Sequence, residues 1–477
     1  MSRLPSPSAA HFASVPSASI PRSQFERNHS VKTAFDAGYL VPIFLDEVLP
    51  GDTFNVKMSA FGRLSTPIKP FMDNLFMDFF FFFVPTRLVW SNWKRFNGEQ
   101  INPGDSTDYV VPTMTAPAGG YANGTIFDYF GLPTQVAGYV HSSLPLRAYN
   151  LIWNSHFRDE NLQLSLAFYT GDTSDPSAVY GLRKRGKRHD YFTSCLPWPQ
   201  KGNAVTLPLG STAPVSSTGS LMFQQTSTPA NYATVSMVSG GAVVLGAPSG
   251  GGISAGSTLE YKSGLQVDLT AATAASINQL RQAFQIQRLF ERDARGGTRY
   301  TEILQAHFGV VSPDARLQRP EYLGGGSAPI NVNPIAQTSA AASQPTPQGN
   351  LSAMATAAPH DIGFVKSFTE HGYIIGLVSV RADLSYQQGL NRLWSRSTRF
   401  DFYWPSLAQI GEQAVLNKEI YCQGSADPVA DAAVFGYQER YGEYRYKPSM
   451  ITGKMRSNDA QSLNIWHLAQ NFSSLPQ

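Results

Sequence analysis

The run of residues closest to a known chemical motif lies near the middle of the chain. Gly181-Leu-Arg-Lys-Arg-Gly-Lys187 matches most of the phosphate-binding loop G-x-x-x-x-G-K. The next position of that loop requires a Ser or Thr hydroxyl as a magnesium ligand, and here it is Arg188. The run also lacks the buried strand and the following amphipathic helix that frame such a loop. Nucleotide hydrolysis is therefore not expected.

The same run is strongly basic. Its cationic members are Arg183, Lys184, Arg185, Lys187 and Arg188. A loop of this kind can contact the phosphates of a nucleic acid, contact acidic residues of a neighbouring chain, or simply be solvated. The residues alone leave these three interpretations open.

A second segment, residues 437–447, alternates aromatic with basic side chains. Aromatic stacking combined with phosphate contact is how single-stranded nucleic acid is held without sequence preference. The residues best suited to that role are Tyr441, Tyr444, Arg445 and Lys447. Tyrosine and arginine are also enriched where subunits meet, and we favour that interpretation of the tyrosines.

The remaining reactive residues form no recognisable site. His360-Asp361 and Glu370-His371 place carboxylates beside imidazoles, but without the spacing of a metal-binding helix. The two cysteines, Cys195 and Cys422, have neither metal-type nor protease-type context, and reduced thiols are expected. We predict no catalytic residue, no metal site and no cofactor.

Composition points to a β-rich protein whose surface is covered by other copies. Only 15% of the 477 residues are charged, against about a quarter in an ordinary soluble domain. The 40 glycines and 32 prolines favour many short elements joined by turns. A net charge of +3 is too small for a dedicated nucleic-acid binder. We expect no secretory signal and no membrane insertion, because the most apolar run, residues 75–84, is about half the length needed to cross a bilayer.

Hydrophobic periodicity outlines one interrupted β-sandwich over residues 31–477, preceded by an extended arm at 1–30. The five consecutive phenylalanines at 79–83 predict a strand buried on both faces. Residues 201–260, uncharged between Lys201 and Glu260, predict a β-containing surface insertion. The other predicted elements are helices at 86–93, 145–158 and 276–296, an extended connection at 322–359, and strands at 54–58, 373–380 and 400–404.

Several motifs, spread in order from about residue 30 to residue 456, resemble those of Gokushovirinae major capsid proteins, which belong to the tailless Microviridae phages. The motifs are Pro50-Gly-Asp52, Phe82-Phe-Val-Pro-Thr-Arg-Leu-Val-Trp90, Leu144-Pro-Leu-Arg-Ala-Tyr-Asn-Leu-Ile-Trp153, Ser194-Cys-Leu-Pro-Trp-Pro-Gln200, Glu291-Arg-Asp-Ala-Arg-Gly-Gly-Thr-Arg-Tyr300 and Gly436-Tyr-Gln-Glu-Arg440 through Lys447-Pro-Ser449.

This resemblance implies a mainly β, eight-stranded jelly roll with long inter-strand insertions that contain a few helices. It implies a non-enzymatic virion protein, assembled in the bacterial cytoplasm as a T=1 icosahedral shell of 60 copies around a circular single-stranded DNA genome. The 201–260 insertion would form a protrusion at the three-fold axes that contacts a host surface receptor. The alternative from another class is a soluble, monomeric β-sandwich protein that binds or acts on carbohydrate.

The charge of such a genome would far exceed the charge of the subunits around it. A gene for 477 residues alone, shared among 60 copies, carries about 24 phosphate charges per subunit, because single-stranded DNA has one charge per nucleotide. The subunit supplies a net charge of +3. We therefore expect a small basic DNA-associated protein, polyamines or metal cations inside the shell.

Overall fold

The computed structural model describes residues 21–206, 215–226, 228–237, 243–246, 258–267, 277–339, 348–408 and 410–476. The strands are β1 (Tyr39–Val48), β2 (Thr53–Met58), β3 (Gly62–Arg63), β4 (Leu75–Pro85), β5 (Thr113–Thr115), β6 (Val140–Ser142), β7 (Arg183–Lys184), β8 (Val215–Gln225), β9 (Thr228–Met237), β10 (Val243–Gly246), β11 (Leu259–Val267), β12 (Glu321–Ala336), β13 (Leu351–Ala357), β14 (Ile362–Ser367), β15 (Gly372–Ala382), β16 (Ser385–Tyr386), β17 (Glu412–Leu416), β18 (Val434–Glu439) and β19 (Ser449–Met450). The α-helices are α1 (Thr86–Val89), α2 (Trp93–Phe96), α3 (Ile126–Tyr129), α4 (Leu144–Ile152), α5 (Ile277–Gly296), α6 (Tyr300–Phe308), α7 (Asn417–Ile420) and α8 (Pro428–Ala432).

Eight strands pair as a rolled-up hairpin. The first strand β1 pairs with the last, β15, and the inner pairs follow as β2 with β14, β3 with β13 and β4 with β12, all antiparallel. A further pairing of β4 with β15 brings the two ends of the roll together in a sheet of order β3-β13-β12-β4-β15-β1-β7. Nested pairing of this kind defines a jelly roll, so the predicted fold class is confirmed.

Strand β4 is the centre of the roll, and it is buried on both faces as predicted. Phe79, Phe81 and Phe83 join the core that lies between the large sheet and the β2–β14 pair. Phe82 packs into a second core, which is formed with the helices inserted after β4. The alternation follows from the two-residue period of a strand, which sends successive side chains to opposite faces.

The prediction of an extended connection at 322–359 is wrong, because this segment forms the paired strands β12 and β13. The reason lies in the triplet Gly324-Gly-Gly326 within β12. A Cβ atom at Gly325 would lie 2.1 Å from the carbonyl oxygen of Phe79, and one at Gly324 would lie 2.7 Å from that of Gly363. The glycines therefore allow β4 and β14 to approach β12 closely, and a segment poor in large side chains becomes an interior strand.

The insertions of the roll are concentrated in one place. The other connections between the eight strands are short, whereas the one from β4 to β12 spans residues 86–320 and contains α1–α6 and β5–β11. The predicted helix at 145–158 is present as α4, extended by a π-helical turn at Trp153–Phe157. Strands β8–β11 form a separate four-stranded antiparallel sheet in the order β10-β9-β8-β11, which supplies the β content expected at 201–260.

A buried ion pair joins α4 to the loop that follows it. The Arg147 guanidinium donates from Nε and Nη2 to the two carboxylate oxygens of Asp175, both at 2.7 Å, and neither side chain is exposed to solvent. It also donates from Nη1 to the carbonyl oxygens of Val89 and Gly171. The Tyr180 hydroxyl completes the cluster with a 2.6 Å hydrogen bond to Asp175. Burial opposes ionisation of Asp175, but these contacts outweigh it and hold the pKa of Asp175 below its ordinary value.

Residues 385–476 pack beside the roll around a third core, formed by Tyr191, Phe192, Tyr386, Val415 and Ile420. The prediction of a strand at 400–404 is wrong, because the segment consists of 3-10 turns and extended loop. The Asp401 carboxylate accepts backbone hydrogen bonds from Thr398 and Ser397, which lower its pKa to about 2 and hold the first turn in place. Residues 21–36 are largely exposed and have no regular structure, whereas 1–20 of the expected arm lie outside the described residues.

Candidate nucleic-acid and subunit interfaces

The basic run does not have the geometry of a nucleotide-binding loop. Arg183 and Lys184 form β7, an edge strand hydrogen-bonded to Leu40 and Tyr39 of β1. The residues that follow, up to 200, contain no helix whose amino terminus could hold a phosphate. The motif match is therefore accidental.

One cation of the run, Arg185, is neutralised inside the subunit. Arg185 forms an ion pair with Asp78 in the middle of β4, and its guanidinium lies 4.5 Å from the centroid of the Phe80 ring. Arg381 binds the same carboxylate at 3.1 Å. Burial of Asp78 works against its ionisation, yet hydrogen bonds from Ser327, Arg185 and Arg381 leave its pKa lower than usual. Arg185 therefore anchors the run to the central sheet.

The other members of the run are more accessible. Arg188 pairs with Asp383 at 3.1 Å while it covers the Phe76 ring. Lys184 and Lys187 are exposed, and Lys187 donates to the side-chain oxygen of Gln470 at 2.7 Å. The two lysines are thus the cations of the run that are most available to a phosphate.

The residues of the aromatic segment also differ in their exposure to solvent. Tyr441 is only 3% exposed, has a left-handed backbone with φ of 61°, and donates from its hydroxyl to the carbonyl oxygen of Phe400. It therefore offers no open ring face to a base, which corrects the expectation that it stacks. Tyr444 is 49% exposed, and Lys447 is exposed. Arg445 is exposed but paired with Glu439 at 2.6 Å.

Two segments far apart in sequence meet in this part of the fold. Leu196, which follows the basic run, forms a two-hydrogen-bond bridge with Tyr437, the first residue of the aromatic segment. Close by, the Gln438 side chain donates to the backbone oxygen of Tyr191 at 2.8 Å. The basic run and the aromatic segment are therefore held by one rigid assembly around the third core.

Sequence reasoning missed an exposed aromatic surface next to this assembly. Large side chains stand in solvent on the loops from 392 to 404, and Trp394 is 77% exposed. The signal was present, because Arg392-Leu-Trp-Ser-Arg396 and Arg399-Phe-Asp-Phe-Tyr-Trp404 alternate arginine with aromatic residues as 437–447 does.

A second exposed surface is apolar and lies on the α5–α6 hairpin. Sequence periodicity predicted the amphipathic stripe of α5, and the helix is observed at Ile277–Gly296, although Ser276 of the predicted capping box lies outside the described residues. The carboxyl-terminal half is anchored through buried Ala294 and the ion pair between Arg295 and Glu412. The exposed apolar residues of the hairpin and of the loop directly after it, hereafter the hairpin surface, are Ile277, Leu280, Phe284, Ile286, Leu289, Phe308, Val310 and Val311.

The histidines and cysteines occupy structural positions. His371 packs edge-on against Trp93, and its neighbour Glu370 pairs with Arg87 at 2.6 Å. Cys195 and Cys422 are free thiols, and burial raises the pKa of Cys195 to about 12. Across the described ranges, no group of three or more His, Cys, Asp or Glu residues is placed to hold a metal ion. No helix in those ranges is long and apolar enough to cross a membrane.

A jelly roll with extended apolar areas on its surface is typical of shell-forming subunits. Comparison with known proteins leads to the same class. Residues 13–477 match the family described as "Capsid protein (F protein)", and the chain belongs to that family. It is 52% identical to capsid protein VP1 of Bdellovibrio phage phiMH2K, covering 98% of this chain and 88% of that protein.

Two further relatives are capsid proteins as well. VP1 of Chlamydia phage 1 is 46% identical, over 99% of this chain and 91% of its own length. VP1 of Spiroplasma virus 4 is 39% identical, over 96% and 86% respectively. The resemblance stated from the motifs is confirmed, and so are the structural, non-enzymatic role and the place of the protein in the virion.

Proposed function

We propose that this capsid protein self-assembles into a small icosahedral shell of 60 copies around a circular single-stranded DNA genome. The observation that carries the proposal is the hairpin surface. It places six large apolar side chains in solvent on the α5–α6 hairpin and two more, Val310 and Val311, on the loop that follows, which is more than a monomer ordinarily leaves uncovered. Burial against a second copy removes this surface from water and stabilises the assembly.

The test is to express the chain and to determine the mass and contents of what it forms. Closed particles of megadalton mass, seen by size-exclusion chromatography and negative-stain microscopy, with nuclease-protected single-stranded DNA, are the expected result. A monomer that binds carbohydrate would instead support the alternative of a soluble β-sandwich protein.

The nucleic-acid contacts remain part of this proposal, with roles adjusted to the geometry. Lys184, Lys187, Tyr444 and Lys447 are open to solvent and are the proposed direct contacts. Arg183, Arg188 and Arg445 are proposed as secondary contacts, because each already has a partner within the subunit. Arg185 is proposed to position the basic run, and Tyr441 is proposed to position Tyr444.

We predict that filled particles contain a large excess of cationic material besides this chain. Each copy must enclose roughly 24 or more phosphate charges, and the net charge of the subunit, +3, neutralises only three of them. Protein species, polyamines and metal cations are counted in purified, nuclease-treated particles. A small basic protein or multivalent cations should supply most of the remaining charge, whereas filled particles that hold only this chain, DNA and traces of sodium would contradict the prediction.

The insertion is proposed to project from the shell and to contact the host receptor. Its sheet pairs internally, and Val215 at the start of β8 lies opposite Val267 at the end of β11. The two ends of this sheet, at Val215 and Val267, are therefore only about 5 Å apart, a gap that a short linker can bridge.

Replacing residues 215–267 with a short Gly/Ser linker is expected to leave a folded, assembling subunit. Adsorption of the resulting particles to host cells is expected to fall roughly tenfold or more, because the proposed contact residues are gone. Particle yield and adsorption are measured on the same preparation. Loss of soluble subunit would show that the insertion belongs to the folding unit, and unchanged adsorption would remove it from host contact.

A further inference from the structure

We propose that the exposed aromatic side chains beside the third core bind the bases of single-stranded DNA by stacking. This inference rests on the proposed function and adds a site that the basic and aromatic runs did not identify. The surface, called the aromatic platform, consists of Trp394, Phe400, Phe402, Tyr403, Trp404 and Tyr444. Each of these side chains is more than a third exposed.

Tyr403, Tyr444 and Trp404 of the platform are held in place within the subunit before any ligand arrives. Tyr403, Tyr441 and Tyr444 form a triangle of edge-to-face contacts with ring centroids 5.3 to 6.2 Å apart. The Tyr403 backbone N–H donates to the Tyr444 hydroxyl, and the Trp404 indole N–H donates to the carbonyl oxygen of Arg399. Because the rings are already fixed, stacking a flexible strand on them orders the strand but not the protein.

Two arginines make cation–π contacts with rings of the platform. The Arg399 guanidinium lies 4.5 Å from the Trp404 ring centroid, and that of Arg396 lies 4.3 Å from the Tyr444 centroid. Arg396 is committed to Glu443 at 3.1 Å. By contrast Arg399, over the Trp404 ring, and Arg440, over the Tyr441 ring, make no ion pair within the described residues, so that two cations at the platform lack a neutralising carboxylate.

These unneutralised cations favour DNA over a second protein copy as the occupant. Covering the platform with another subunit would bury these cations unless that subunit placed carboxylates against them, and the centres of protein interfaces are depleted of charge. A nucleic-acid strand supplies both missing parts, since its bases stack on the rings while its phosphates neutralise the cations.

The first experiment maps the contact in intact particles. Purified, nuclease-treated, filled particles are irradiated with ultraviolet light, and peptides carrying nucleotide adducts are identified by mass spectrometry. Adducts are expected on peptides covering 393–404 and 441–445. Particles that contain single-stranded DNA but yield adducts only elsewhere would overturn the platform and leave the proposed function standing. Particles without such DNA would overturn both.

The second experiment separates stacking from apolar contact. Phe400→Leu and Tyr403→Leu keep a large apolar side chain but remove the aromatic face. Binding of a 20-nucleotide oligothymidylate to unassembled subunits, followed by fluorescence anisotropy, is expected to weaken about tenfold for each ring lost. Tyr300→Leu, at a similarly exposed ring on α6, is the matched control and is expected to bind as the unmodified chain does.

Arg399→Gln provides a third, independent readout. It is expected to lower the slope of log affinity against log salt by about one contact. Unchanged binding in the two leucine variants would overturn the proposal. So would leucine variants that bind DNA normally while failing to form particles, because the platform would then be an interface between copies.

Discussion

Subunits carrying Leu280→Glu together with Phe284→Glu are expected to fold normally and to form no closed particles. Both side chains lie on the exposed part of α5, and Phe284 is 62% exposed, so that the substitutions leave no cavity in the isolated subunit. In the assembly they would place two carboxylates in an apolar contact, where an unpaired charge costs several kcal/mol. Icosahedral symmetry would repeat this cost in every copy, which is why we expect a complete rather than a partial loss.

The control for this experiment lies on the same helix. Asn278→Glu together with Gln285→Glu adds the same charge at exposed polar positions on the other side of α5. This variant is expected to assemble with normal yield. Circular dichroism and thermal unfolding establish that both variants are folded, and size-exclusion chromatography measures assembly. Normal particles from the Leu280/Phe284 variant would remove the hairpin surface from the shell contacts.

Arg147→Ala is expected to cost the isolated subunit about 3–5 kcal/mol of unfolding free energy. The substitution removes both hydrogen bonds to Asp175 and those to the carbonyl oxygens of Val89 and Gly171. It leaves a carboxylate inside the protein with the side chains of Tyr180 and Ser143 as its neutral donors, and the fully buried Asp175 side chain has no route to water. Denaturant unfolding of the soluble subunit measures the loss.

An exposed ion pair is the matched control for this prediction. Arg27 pairs with Asp46 at 2.6 Å, but its side chain is largely in solvent, so Arg27→Ala is expected to cost no more than about 1 kcal/mol. The contribution of Arg147 should also depend on pH. Because the pKa of Asp175 is lowered in the folded state, the pair stabilises the protein above the unfolded carboxyl value of about 4, and this stabilisation is lost as pH falls through the lower folded value. Equal effects of the two substitutions at neutral pH would contradict the assigned role of the buried pair.

Much of the architecture could be predicted from the sequence because it depends on local pattern. The five phenylalanines of β4 predicted a strand buried on both faces. Successive side chains of a strand point to opposite faces, so that consecutive phenylalanines make both faces apolar. The stripe of α5 predicted a helix because its apolar residues recur at three and four positions. The jelly roll came from resemblance to a known family, as the nested pairing of β1–β4 with β12–β15 joins residues hundreds of positions apart.

Only the tertiary structure decided which residues of the candidate sites are available. Arg185 and Arg188 are alike in sequence to Lys184 and Lys187, but each arginine meets a carboxylate, Asp78 or Asp383, about a hundred or more positions away. Tyr441 is enclosed because its hydroxyl reaches the backbone of Phe400, and the same contact holds the loop that presents the aromatic platform. Local periodicity determines which face of an element is apolar. Burial and neutralisation depend on partners from distant parts of the chain, and the fold alone brings those partners together.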